Sequence, residues 1–126
     1  ETYRRQIEAK PGDLEIETPD TKFMRKLLTV IEENIPNAGF SVELLSSKMN
    51  MSRATLYNKV FNLSGKTPVE FIRSVRLKRA VQLLLTKQFT IAETAYEVGF
   101  NDAKYFSKVF KEEFLMTPSE YLDSTD

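Results

Sequence analysis

Apolar residues recur along this chain at helical spacing, in short runs separated by caps and turn residues. Phe23, Leu27, Ile31 and Ile35 stand four apart, with Met24, Leu28 and Val30 widening the stripe. That period predicts a leading amphipathic helix, capped by Asp20 or Thr21 and ended by Pro36. Ser41 caps a second helix through Met49, with Val42, Leu45 and Met49 inward, and Asn50 follows where a tight turn needs a residue tolerant of positive φ. Ser52 caps a third, whose buried stripe is Leu56, Val60 and Leu63. Thr67-Pro68 opens a long helix to about Leu85, since threonine caps and proline is tolerated at the first helical position. Its core face is Ile72, Val75, Ala80, Leu83 and Leu84; Arg73, Arg76, Lys78 and Arg79 make a basic side. Thr90 caps a helix through Val98, Gly99 turns the chain, Asn101 caps a helix to about Phe114, and Thr117-Pro118 begins a short last one. The expectation is an all-α fold of about seven helices without a strand.

Residues 40 to 72 are written a second time, loosely, at residues 89 to 122. In the first half of each copy the offset is 49, pairing Phe40 with Phe89, Ser46 with Ala95 and Asn50 with Gly99. In the second half it is 50, pairing Leu56 with Phe106, Val60 with Phe110 and Thr67-Pro68 with Thr117-Pro118. The identical Lys-Val-Phe strings at 59–61 and 108–110 argue for 49 throughout. An offset of 50 keeps both apolar i,i+4 pairs at the same distance from the following Thr-Pro, so helix faces and endpoints agree in that register alone. The extra residue then falls in the second copy's turn. Small Ser46 and Ala95 mark matching points where two helices cross steeply, and each copy has the anatomy of a helix-turn-helix. Two copies are too few for a solenoid, which needs about three or more.

The organisation read from this is an arm at 1–20, a first module with its leading helix at 21–66, a linker helix at 67–86, a second module at 87–122 and a tail at 123–126. In the arm, Leu14 and Ile16 alternate with Glu15 and Glu17 as a short extended piece. The chain begins at Glu1, without methionine or signal peptide, which suggests a piece of something longer.

Composition narrows the chemistry. The chain of 126 residues has room for one core and contains neither cysteine nor histidine, so disulfides, thiol chemistry and imidazole catalysis are excluded and a reducing, intracellular setting fits. No Gly-rich phosphate loop, metal-ligand cluster or serine-base arrangement is present, and no enzymatic activity, cofactor or metal is expected. No apolar run approaches the roughly 20 residues of a membrane span, so no membrane contact is expected of this segment. Net charge is zero, but its distribution is not even: residues 48–111 hold twelve basic and four acidic side chains, net +8, between acidic ends. A positive middle covering both candidate second helices suits phosphate binding.

The strings RLKRAVQLLL at 76–85, AYEVGFNDAKYFSKVFKEEF at 95–114 and TPSEY at 117–121 strongly resemble the DNA-binding domain of AraC/XylS-type transcription regulators over residues 21–122. Through MSRATLYNKV at 51–60 and VIEENIPNAGFSVELLS at 30–46 the chain looks most like the C-terminal output domains of Bacteroidetes hybrid two-component regulators. The resemblance implies double-stranded DNA as the partner, RNA polymerase as a further one, polysaccharide-utilisation genes as targets, and dimerisation through preceding domains that a membrane anchor would hold in a full-length protein. Two positions depart from the family pattern: Leu115 replaces a common glycine and Thr94-Ala95 an Ile-Ala pair, both bearing on stability of the second module.

In a helix-turn-helix the exposed early turns of the second helix enter the major groove. Counting from buried Leu56 and Val60 turns Ala54, Tyr57 and Asn58 outward, with Arg53 at the helix start, and these four are base-edge candidates. Asparagine pairs with adenine, arginine with guanine, and an alanine methyl meets that of thymine; Tyr57 equally fits a rim residue packed on a neighbouring helix. The 50-residue offset brings Ala103, Lys104, Ser107 and Lys108 to the same places, where the resemblance also points. Ser52, Thr55, Lys59, Arg73, Asn101 and Lys111 are candidate phosphate contacts, because hydroxyls, caps and long cations at module edges meet the backbone before the bases. Arg76 and Arg79 are open between phosphate and a carboxylate such as Glu97, in which case they brace the modules. A helical bundle with a basic face that binds acidic proteins is the competing reading.

Overall fold

The computed structural model describes residues 17–125. Among them are seven α-helices and no strand: α1 (Pro19–Glu33), α2 (Val42–Lys48), α3 (Arg53–Ser64), α4 (Pro68–Leu85), α5 (Ile91–Glu97), α6 (Ala103–Phe114) and α7 (Pro118–Ser124). The extended piece read at Leu14 and Ile16 lies outside the described residues.

Caps set the boundaries. Ser41, Ser52, Thr67, Thr90 and Thr117 each accept a hydrogen bond from a backbone N–H in the first turn of the helix that follows, and at Thr67, Thr90 and Thr117 a glutamate three residues on closes a capping box. Two caps differ from expectation. Thr18, not Asp20 or Thr21, caps α1, because Pro19 suits the first helical position and Thr18 Oγ1 reaches Thr21 N at 3.1 Å. Asp102, not Asn101, caps α6, with Oδ1 accepting from Lys104 N at 2.9 Å. At the other ends, α1 stops at Glu33 with Asn34 as its C-cap, before Pro36, and α7 runs to Ser124.

Two cores result. In the first, α1, α2 and α3 bring Phe23, Leu27, Ile31, Leu45, Leu56 and Val60 together; in the second, Ala95, Val98, Phe100, Phe106 and Phe110 pack from α5, α6 and the turn between them. The linker helix α4 walls both, giving Ile72 to the first core and Leu77, Ala80 and Leu84 to the second, with Val75 against each. Because it faces two cores it lacks a single apolar stripe, which is why Leu77, fully buried, escapes a count based on one face, while Leu83 is only half-buried. Ile35, at the end of the four-residue ladder of α1, crosses over and packs in the second core. Leu63, read as the third member of the α3 stripe, is instead 39% exposed, since α3 buries only Leu56 and Val60.

The repeat register is settled by burial. Phe110 is fully buried and its counterpart at offset 50, Val60, is too, whereas Phe61, which offset 49 would pair with Phe110, is 47% exposed. The turns match in detail: Met51 N bonds Ser46 O at 3.1 Å and Phe100 N bonds Ala95 O at 2.9 Å, around left-handed Asn50 and Gly99. With Met51 equivalent to Phe100 and cap Ser52 to cap Asp102, the extra residue is Asn101 itself.

Candidate nucleic-acid interface

Helix α3 presents Arg53, Ala54, Tyr57 and Asn58 together. All four are exposed and line one wall of a shallow concavity of about 630 Å³, closed on the other side by Val42 and by Thr67, Pro68 and Val69 at the start of α4. The face is free because Leu56 and Val60, on the opposite side of the helix, are fully buried. Arg53 is held lightly: its Nη1 lies 4.0 Å from Glu43 Oε2 with both side chains well exposed, a pairing worth little. Tyr57 stacks on Phe61 one turn along its own helix, with ring centroids 6.1 Å apart and planes inclined by 13°, rather than on a neighbouring helix. Its ring is thereby held at the mouth of the concavity.

The second module is less open. Lys104 and Lys108 are exposed on α6, while Ser107 is half-buried and Ala103 is half-buried against the second core. A helix crowded at its first residue presents two cations where α3 presents a mixed surface. Asp102 also fills the first turn of α6 with its own carboxylate, whereas α3 is capped by the neutral Ser52.

The candidate phosphate contacts divide. Ser52 and Thr55 share a hydroxyl hydrogen bond of 3.0 Å at the exposed start of α3. Asn101 and Lys111 are exposed on the second module. Lys59 is drawn toward α1, its Nζ 5.2 Å from the centre of the Phe23 ring. Arg73 is half-buried and donates to Tyr105 Oη at 3.3 Å, joining the linker helix to α6.

Arg76 is not on a basic surface. It is 6% exposed, and its guanidinium donates to the carbonyls of Ile35, Val98 (2.6 Å) and Asn37 (3.0 Å). Burial pushes its pKa below the ordinary arginine value, yet guanidinium stays charged. It does brace the modules, through carbonyls and not through Glu97; Arg79 stays outside and pairs with Gln82. The signal was present in the sequence: Ile72, Arg76, Ala80 and Leu84 stand four apart, and all four are buried.

The model of a helix-turn-helix domain family matches residues 45–124. The chain belongs to the AraC/XylS-type DNA-binding domains. This AraC/XylS-type domain is 41% identical over 111 residues to "Histidine kinase P4" of Formosa agariphila, covering 88% of the chain and 8% of that kinase. Among solved structures it resembles the C-terminal domain of the two-component response regulator yesN of Fusobacterium nucleatum, at 29% identity and a TM-score of 0.72, over 80% of this chain and 98% of that one. A transcriptional regulator of Chromobacterium violaceum, described as containing an AraC-type DNA-binding domain, matches at 25% identity and a TM-score of 0.73, over 79% and 88% of the two chains. The chain thus spans a small part of the curated relatives it matches. The family assigns the domain to sequence-specific DNA binding in transcription regulation. Among the described residues no helix is long and apolar enough to cross a membrane.

Proposed function

We propose that this AraC/XylS-type domain is the DNA-reading output segment of a longer two-component regulator, in which α3 reads bases through Arg53, Ala54, Tyr57 and Asn58 while α6 grips mainly by charge through Lys104 and Lys108. The observation that carries the reading is the free polar face of α3 set against its fully buried Leu56 and Val60. The likeness to a segment of a histidine kinase and to a response-regulator C-terminal domain supports placing it at the output end. Dimerisation and signal reception then belong to other parts of the regulator, and contact with RNA polymerase to the domain once it is on DNA. Polysaccharide-utilisation genes as targets rest on the resemblance of residues 30–60 alone.

The α4 helix of 18 residues is about 27 Å long, shorter than the ~34 Å between successive major-groove segments. Both modules therefore insert only if the DNA bends, and otherwise one module inserts fully. Selection of bound sequences from a random duplex pool, followed by fluorescence anisotropy across a salt series, tests the proposal. A defined sequence preference and an affinity falling steeply with salt are the expected results. Absence of duplex binding at low salt overturns the proposal and leaves the basic face as a protein-docking surface.

A further inference from the structure

The two cores of this domain are distinct but bridged by the linker helix and by Ile35, and Arg76 adds a buried polar tie between the modules. On one side its guanidinium binds the carbonyls of Ile35 and Asn37, in the segment between α1 and α2 of the first module. On the other it binds the carbonyl of Val98, the C-cap residue of α5, at the turn of the second. Among the described residues no carboxylate forms an ion pair with it. Its charge is met instead by carbonyl oxygens, that of Val98 at the C-terminal end of α5, where the backbone is partially negative, and those of Ile35 and Asn37 in the loop that follows α1.

The turn opposite is built to admit it. Gly99 has φ 91°, and a Cβ placed there would overlap Arg76 Nη1 and the Ile35 carbonyl oxygen. At the equivalent turn of the first module Asn50 takes up φ 57° with an exposed side chain. At Gly99 the positive φ is joined by the approach of the guanidinium and the Ile35 carbonyl, which leave no room for a Cβ. A planar group with five donors reaches three carbonyls on two modules at once, which a lysine ammonium on a flexible stem does not reproduce.

We infer that Arg76 is the positioning residue that fixes the separation and orientation of α3 and α6, and so determines which spacing of DNA half-sites the domain accepts. This rests on the proposed DNA reading for its consequence, not for its mechanics. With the latch closed, α3 and α6 move as one body, and one base pair inserted between the two contacted segments displaces the second by about 3.4 Å and ~35°. With it open, the modules pivot about α4 and tolerate the insertion.

Two measurements separate the claims. The chain has no cysteine, so a pair introduced at exposed Asn62 on α3 and Glu112 on α6 gives unique spin-label sites. In the absence of DNA, Arg76→Lys broadens the label-to-label distance distribution while circular dichroism shows the helices retained; Gly99→Ala, which displaces the guanidinium from the other side, does the same. An unchanged distribution in a folded Arg76→Lys protein overturns the inference. On the selected duplex and on versions lengthened by one base pair, the wild-type protein discriminates by about tenfold or more, the scale of a mismatched contact. Arg76→Lys reduces that ratio to about threefold or less and leaves affinity for a single half-site unchanged. A parallel loss on every duplex shows a purely structural role and also overturns the inference. If the distance distribution broadens but the wild-type protein binds no duplex, the latch stands and the DNA reading alone fails.

Discussion

Leu115 caps α6 in a conformation that leucine avoids, and replacing it should raise stability. Its φ is 65°, and the equivalent cap of α3 is Gly65 at 76°. The two caps make the same bond, Leu115 N to Lys111 O and Gly65 N to Phe61 O, each at 2.8 Å. The leucine is thus strained, and this is how its departure from the family glycine bears on stability of the second module. The left-handed conformation costs a non-glycine residue about 1–2 kcal/mol. Glycine returns about 0.4–1 kcal/mol of that through the freer unfolded chain. Leu115 is 85% exposed, so little burial is lost: about 0.3 kcal/mol on the scale of a fully buried leucine. Leu115→Gly should therefore gain on the order of 0.5 kcal/mol, or ~2 °C in Tm for a domain of this size. Gly65→Ala makes the reciprocal change where an added Cβ meets nothing within 4 Å, so φ alone acts and the loss should be about 0.5–1 kcal/mol. Urea unfolding of both variants with unchanged m-values is the assay. Opposite signs are required; a destabilised Leu115→Gly beside a neutral Gly65→Ala would refute the strain argument and mean that the exposed leucine makes a contact of its own.

Three further outcomes follow from the same geometry. Gly99→Ala should lose about 3 kcal/mol or more in thermal unfolding, because it combines a left-handed alanine with broken charge-assisted bonds at Arg76, whereas Asn50→Ala should lose only about 1 kcal/mol. The carboxyls of Glu70 and Glu120 are held below their ordinary value of 4.5, each chiefly by the backbone N–H of its capping threonine. Their contribution to stability is present above the unfolded-state pKa and is lost as pH falls through the lower folded value, so the double variant Glu70→Gln, Glu120→Gln should show a shallower fall of Tm below pH 4.5. On DNA, Asn58→Ala should relax preference at one base pair by about 1–3 kcal/mol, while Lys108→Ala should weaken binding on all sequences and lower the salt slope by about 1; equal effects from both variants contradict the division of labour between α3 and α6.

What was legible in the sequence was what local periodicity and capping chemistry determine. The seven helices, the two turns at Asn50 and Gly99, the 49-to-50 register and the outward set on α3 all follow from the spacing of Leu56, Val60, Phe106 and Phe110 against their caps. What was not legible depends on contacts distant in sequence. The spacing of Ile72, Arg76, Ala80 and Leu84 marks Arg76 as inward, but its partners, 41 residues away at Ile35 and 22 away at Val98, leave no local trace. Leu63 had the right period but lies at the rim beside α1, 39% exposed. Ala103 had the right register, but a half-buried position that no repeat alignment conveys.

Three differences between the copies fall where the second helix begins. Gly99 replaces Asn50 where the second turn receives the arginine of the linker, Asn101 is added just after that turn, and Asp102 replaces Ser52 where α6 begins. These three fall between the end of one helix and the first turn of the next, so the buried pairs Leu56/Val60 and Phe106/Phe110 keep their faces. A residue inserted between Phe106 and Phe110 would rotate everything beyond it by about 100° and take the two rings off one face. Placed in the turn, it changes only how α6 enters and what its first residues present. With the register kept by the turn, the outward face of the second helix is free to diverge, from Arg53, Ala54, Tyr57 and Asn58 on α3 to Ala103, Lys104, Ser107 and Lys108 on α6, without disturbing either buried pair.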